Sequence, residues 1–293
     1  MSRWLDRRAA RRWFERAAAG AGDDPVAREV ERRMASRLEY VKLAPRRILD
    51  VGCGVARGAA LLRSRYPRAK IVLADSALEL VRSGRRAQPI TVRARSAFGA
   101  APVDFLCADM SALPFATGAF GMLWSNLVLA WADDLAAAFA EWHRVLEVGG
   151  LLMFSSYGPD TLKELRTAFA AAGPGPHVHP FVDLHDLGDA LVATGFSDPV
   201  MDMEMLTVTY DRAAALFADL RATGQRNALL ARPRGLTGRH ALERMVASYA
   251  ALARDGRVPA TFEIVYGHAW KAAPRVTADG RAIIRFDRPR RTG

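Results

Sequence analysis

Between Arg47 and Phe154 the chain alternates short apolar runs with stretches that repeat apolar residues at helical spacing. Arg47–Val51, Ile71–Ala74, Val103–Cys107, Met122–Trp124 and Leu151–Phe154 have the length and composition of buried strands. Helical patterns fall between them near Gly58–Tyr66, Leu78–Arg85 and Asp133–Leu146. Strands apolar on both faces and alternating with helices predict an α/β fold, a parallel sheet covered on both sides. An amphipathic helix precedes the first strand: Asp24 is an N-cap, Pro25 takes the first helical position, and Val26, Val30, Met34, Leu38 and Val41 form its apolar stripe.

Beyond Tyr157 the rhythm changes. Helices are predicted at Asp160–Ala172, Leu184–Thr194, Asp211–Thr223 and Leu236–Arg254, with strands at Pro199–Tyr210 and Thr261–Trp270. Ala101-Pro102, Gly173–Pro176 and Ala231–Gly238 are loops by composition. The predicted organisation is a helical cap over residues 1–45, a main α/β domain over 46–271 with helical insertions at about 158–198 and 211–257, and a basic tail over 272–293.

With 293 residues, 51% of them apolar, the chain can bury a large core. Its net charge of +11, mostly arginine, favours acidic partners: nucleic acid, an acidic carrier protein or an anionic membrane surface. Cys53 and Cys107 sit in runs that read as buried strand ends, and neither a disulfide framework nor a metal-ligand spacing is present. The arginine-rich N-terminus lacks an apolar stretch of signal-peptide type, and Ala119–Ala132 is too short to cross a bilayer. The expectation is a cytoplasmic protein without a membrane span or a metal.

The first predicted strand runs through Asp50 into Gly52-Cys53-Gly54 and straight into a helix. Glycines at such a turn let a ligand approach the backbone, and the helix N-terminus offers free N–H groups. Asp50 would repel a pyrophosphate but complements the ammonium of the methionine moiety of S-adenosylmethionine. Asp75, followed by Ser76 at the end of the second strand, can accept ribose hydroxyls, as it could from NAD. Asp109 can accept from an adenine amino group while Met110 offers its backbone N–H; Asn126 and Leu127, with Trp131, end the fourth strand where methyl donor and acceptor would meet. Three aspartates at three successive strand ends favour S-adenosylmethionine over a dinucleotide.

These residues, with the run Leu49-Asp50-Val51-Gly52-Cys53-Gly54, resemble the class I methyltransferase domain, whose pattern has a glycine where this chain has Ala56. A closer resemblance covers nearly the full length. Phe14–Ala18, Ser125-Asn126-Leu127, Tyr157–Arg166, His179–Asp189 and Tyr266–Trp270 are similar to the malonyl-acyl-carrier-protein O-methyltransferases of biotin synthesis. The resemblance implies a Rossmann-like, mostly parallel seven-stranded sheet with helical insertions forming a substrate lid. It also implies methyl transfer from S-adenosylmethionine to the free carboxylate of malonyl-acyl-carrier protein, giving the ester that primes pimeloyl synthesis. Gly20-Ala21-Gly22-Asp23 departs from the family, which carries a tyrosine there, at the place where the site would close over the cofactor.

A malonyl carboxylate is ionised at neutral pH, so no general base is needed. The reaction asks instead for alignment and for a cation that selects a carboxylate; Arg166, His179 and Arg221 are the candidates, and Arg7, Arg8, Arg11 and Arg12 could meet the acidic carrier. The alternatives are another acceptor, whether a small acid, a quinone precursor or RNA; a protein like the complex I assembly factor related to arginine hydroxylases; and a cofactor-binding protein without methyl transfer.

Overall fold

The computed structural model describes residues 4–20, 23–88, 103–235 and 237–273. The predicted Ala101-Pro102 loop, Ala21 and Gly22 of the N-terminal departure, and residues 274–293 of the basic tail lie outside them. In chain order the elements are α1 (Arg7–Gly20), α2 (Pro25–Arg37), β1 (Arg47–Val51), α3 (Gly58–Arg65), β2 (Lys70–Asp75), α4 (Leu78–Ala87), β3 (Val103–Cys107), β4 (Phe120–Ser125), α5 (Leu135–Val145) and β5 (Leu146–Tyr157). There follow α6 (Lys163–Ala170), α7 (Leu184–Ala193), β6 (Phe196–Tyr210), α8 (Ala213–Ala222), α9 (Arg239–Ala250) and β7 (Val258–Lys271).

One seven-stranded sheet has the order β3-β2-β1-β4-β5-β7-β6. Strands β1 to β5 are parallel, and β7 runs antiparallel between β5 and β6. The fold is the Rossmann-like α/β class that the sequence implied. Successive residues enter opposite cores, as the period of two in a strand requires. Ile48, Ile71, Leu73, Met122 and Trp124 pack with α2 and α3 on one face. Leu49, Val72, Ala74 and Leu123 pack with Phe139 and Trp142 of α5 on the other.

β5 runs past its predicted end because Ser155–Tyr157 pair with Ile264–Tyr266 of β7, and β7 exceeds its predicted span because Val258–Ala260 and Lys271 pair with β6. The Asp24 cap forms as expected, with the Ala27 N–H donating to its carboxylate at 2.9 Å. One expectation is overturned: Cys107 is exposed and Cys53 only half-buried, because both lie where strands open onto a cleft. Among the described residues no helix is long and apolar enough to cross a membrane.

β1 is the point where the connections change direction, with β2 and β3 on one side and β4 and β5 on the other. Such a reversal leaves a crevice at the carboxyl ends of the strands. The chain places its chemistry there.

Candidate functional site

A cavity of about 760 Å³ opens at this edge, and it gathers Asp50, Gly52, Cys53, Gly54, Asp75, Ser76, Asp109, Met110, Asn126 and Leu127 along its wall. All of the predicted cofactor residues therefore share one space. The turn after β1 is held by geometry: Gly52 has φ +76°, and a Cβ there would lie 2.3 Å from Val128. At Gly54 a Cβ would meet nothing within 4 Å, so its backbone faces open space.

Ala56, where the family pattern has glycine, also sits in the left-handed region at φ +64°. Its methyl group does not reach the cavity. Instead it faces α4, where Gly84 leaves room: a Cβ on Gly84 would stand 3.1 Å from that of Ala56.

Asp50 is buried, and every influence on it raises its pKa well above the ordinary carboxyl value: burial first, then the charges of Glu31 and Asp75. Glu31 belongs to α2 and escaped the sequence reading. It lines the same cavity, and burial pushes its carboxyl up to about 7 against the pull of Arg57. The two acids meet over Gly58, where a Cβ would lie 2.4 Å from Glu31 Oε1 and 3.4 Å from Asp50 Oδ2. A pair of desolvated carboxyls favours a cationic ligand. The signal for Glu31 was present as an Ala27–Glu31 pair at i,i+4 beside the apolar stripe, both of them lining residues.

Asp75 accepts from Gly54 N at 3.0 Å and from Ala77 N at 2.8 Å, which fixes the carboxylate at the strand end. A carboxylate has about four acceptor directions, so capacity remains for a pair of hydroxyls. Asp109 is more heavily engaged. One oxygen accepts from Ser111 N at 2.9 Å and Ser111 Oγ at 2.7 Å, and the other pairs with Arg7 of α1. The Arg7 pair is exposed and so worth about 0–1 kcal/mol, little enough for a ligand to displace.

Asn126 serves the wall itself. Its Nδ2 donates to Ala27 O at 2.9 Å and its Oδ1 accepts from Ser155 Oγ at 2.8 Å, joining α2 to the sheet. Helix α1 spans the mouth with Arg7, Arg8, Arg11 and Phe14 among the lining residues, so of the four arginines expected at a carrier protein only Arg12 stays clear of the cavity. The segment before α1 is stapled to the 228–232 loop: Asp6 N donates to Ala228 O at 2.7 Å, and Asp6 pairs with Arg232 at 2.7 Å.

A second cavity, of about 210 Å³, adjoins the first. Its walls are mainly apolar, including Leu162, Leu165 and Phe169 from α6 and the turn before it, and Phe217 and Leu220 from α8. Trp131, Tyr157 and Gln225 line both cavities and form the partition. The Tyr157 hydroxyl, held protonated by burial and the nearby Asp24, donates to Gln225 Oε1 at 3.2 Å, and Gln225 Nε2 donates to Asp24 Oδ2 at 3.0 Å.

The three acceptor candidates fare differently. Arg166 is exposed, lies outside both cavities and donates to Pro159 O at 3.0 Å; it ties the turn before α6 in place. His179 lines the second cavity but cannot act as a cation there. Burial drops its pKa to about 4, Nε2 accepts from Ala228 N at 3.1 Å, and Trp4 and Trp131 pack edge-on against its ring. Arg221 lines the same cavity at its exposed rim.

Residues 49–154 match the family model described as a methyltransferase domain. Over 287 residues the chain is 49% identical to the malonyl-acyl-carrier-protein O-methyltransferase of Laribacter hongkongensis, covering 97% of this chain and 96% of that one. The chain belongs to that family. A second member, from Gallionella capsiferriformans, is 47% identical with 96% of each chain covered. Among solved structures, the YcgJ protein from Bacillus subtilis aligns with a TM-score of 0.58 at 14% identity, covering 84% of this chain and 100% of that one, a likeness of fold alone.

Within the family comparison the motif residues acquire physical roles. In Tyr157–Arg166, Gly158 leaves room for Glu263, which would lie 2.4 Å from a Cβ there, and Glu263 Oε2 accepts from Asp160 N at 2.7 Å. In Tyr266–Trp270, Gly267 admits the Phe154 ring, 2.4 Å from where a Cβ would stand. Both motifs secure β7: the first ties it to the turn after β5, the second to β5 itself.

Proposed function

We propose that the chain transfers a methyl group from S-adenosylmethionine to the free carboxylate of a malonyl thioester on an acyl carrier protein, making the ester that primes pimeloyl assembly for biotin. The observation that carries this reading is the pair of adjoining cavities, one lined by carboxyls and one mainly apolar, meeting at Trp131, Tyr157 and Gln225. Family membership supplies the acceptor.

S-adenosylmethionine supplies an electrophilic methyl group on a sulfonium. Asp50 and Glu31 would hold its ammonium, Asp75 its ribose hydroxyls, and Asp109 with the Met110 amide its adenine. The chain has no proton to remove, since the acceptor carboxylate is ionised at neutral pH. Its contribution is alignment, which can supply about 7–11 kcal/mol of a barrier. Gln225, its Oε1 held by the Tyr157 hydroxyl and one N–H by Asp24, would turn its second amide N–H to the acceptor as a neutral donor. Neutral donors orient a carboxylate without ion-pairing it so strongly that its nucleophilicity is lost. The insertions at 158–198 and 211–257 form the acceptor cavity and act as its lid.

The test is transfer of labelled methyl from S-adenosylmethionine to malonyl-acyl-carrier protein by the purified chain, together with growth rescue of a biotin-requiring bacterial strain. Cofactor binding without transfer to any malonyl thioester would overturn the acceptor assignment and leave the cofactor site standing.

A further inference from the structure

Two arginines at the rim of the second cavity meet a third, from a distant part of the chain, across one indole. Arg221 and Arg226 line the cavity, and Arg16 comes from α1. The guanidinium carbon of Arg226 stands 4.0 Å from the Trp13 ring centroid and that of Arg16 5.1 Å, so one indole holds two cations. All three side chains belong to exposed residues. Several other surface arginines pair with acids: Arg28 with Asp23, Arg37 with Asp202, and Arg257 with Asp211. Among the described residues no carboxylate pairs with Arg16, Arg221 or Arg226, and Glu15, one residue from Arg16, is taken by Arg11 at 3.0 Å. Partial burial, then the charges of Arg221 and Arg16, lower the proton affinity of Arg226. Like charges are thus concentrated at this rim without compensation, an arrangement that favours a polyvalent anion.

The position of the cluster says which anion. An acceptor whose carboxylate lies at the Trp131–Tyr157–Gln225 partition must leave through the apolar cavity, and its outgoing end passes this rim. On a carrier-bound thioester that end is a pantetheine arm closed by a phosphodiester, a group that planar guanidinium forks grip bidentately. The geometry points to a phosphate subsite in which Arg16, Arg221 and Arg226 hold the phosphodiester of the acceptor's pantetheine arm, with Trp13 fixing two of the three. The subsite rests on the proposed malonyl-thioester acceptor, and it moves Arg221 from the reacting carboxylate to the opposite end of the substrate.

Three acceptors separate the possible contacts: malonyl-pantetheine, malonyl-4′-phosphopantetheine and malonyl-carrier protein. In the unaltered enzyme the phosphorylated arm should show a KM lower than malonyl-pantetheine by about tenfold or more, the worth of a charged hydrogen-bond pair. In Arg16→Gln/Arg226→Gln that ratio should fall toward one. Arg221→Gln, which disturbs no ring contact, should halve the effect or more and guards against a folding defect in the double variant. An equal rise in KM for phosphorylated and unphosphorylated arms would overturn the proposal. So would a change confined to malonyl-carrier protein, since the cluster would then meet acidic side chains of the carrier.

A binding titration with deacylated 4′-phosphopantetheine and pantetheine needs no methyl transfer. Preference for the phosphorylated arm, lost in Arg221→Gln, supports the subsite even if every malonyl thioester fails as an acceptor. Absence of that preference in the unaltered enzyme overturns it.

Discussion

The two cavities share a partition but are assembled by opposite means. The first is built largely from strand ends and the turns after them, within one parallel half-sheet, and its character is set by Asp50, Asp75, Asp109 and Glu31. The second is built from α6, α8 and the loops beside them, against the antiparallel half of the sheet, and its character is set by shape. Charge can be specified by one side chain at one strand end. Shape requires many side chains brought together across the chain. A cofactor common to many enzymes suits the first kind of site, and a particular acceptor suits the second.

The largest effect should come from striking the first cavity without touching the second. Asp50→Asn removes a buried carboxyl whose surroundings all disfavour its charge, so cofactor affinity should fall about 100-fold, the loss of one charge-assisted contact. Thermal stability should hold or rise, since the desolvation penalty disappears. Titration calorimetry with S-adenosylmethionine and a melting curve check both. A large loss of stability would mean that Asp50 supports the fold rather than the ligand.

The converse experiment fills the second cavity. Leu220→Trp should lower kcat/KM for the malonyl acceptor about 30-fold by displacing the bound chain, on the scale of misplacement effects, while the cofactor dissociation constant shifts by less than about twofold. Equal losses in both would show that the partition does not separate the two functions.

A pH titration sharpens the comparison from the cofactor side. Glu31 is raised from 4.5 to about 7 in the fold, so it keeps a proton that the unfolded chain releases. Stability of the ligand-free chain should therefore fall as pH rises from about 4.5 to about 7. Binding of an ammonium-bearing ligand works in the other direction and should weaken by about tenfold per pH unit below 7. Glu31→Gln should flatten that slope.

The smallest effect is expected at Ala56, where a residue with a Cβ adopts φ +64°. Ala56→Gly should raise stability by about 1 kcal/mol by removing the left-handed penalty, with little change in cofactor affinity because the methyl faces Gly84. Denaturant midpoints would measure it.

The same contrast decides what a linear reading could reach. β1 and β2 were legible because a doubly covered strand is a nearly continuous apolar run, which Asp50 and Asp75 interrupt near its end. β3, expected to be buried, is instead half-exposed, with Asp104 and Cys107 open to solvent. Glu31 was not legible, because a glutamate at the margin of an amphipathic helix looks solvated until the sheet packs beneath it. His179 and Arg166 take on a different look in the fold for a related reason. Residue type announces a possible charge, while the aromatic enclosure of His179 and the carbonyls around Arg166 come from contacts that spacing does not encode. Gln225 and Tyr157 took meaning only once two cavities were seen to meet between them.

β7 is made after every other strand yet lies inside the sheet, between β5 and β6. A ribosome therefore delivers the two halves of the site at different times. The β1–β4 frame of the cofactor cleft exists before the acceptor half has its support: Tyr157 finds its register opposite Ile264, and Thr161 reaches the Glu263 carbonyl, only after β7 emerges. Until then β6 waits without β7, its one sheet neighbour among the described residues, carrying the exposed Val200, Met203 and Met205. Arrested synthesis short of β7 would leave a chain with the makings of a cofactor cleft and nothing to methylate, its sticky strand open to chaperones and to other copies of itself.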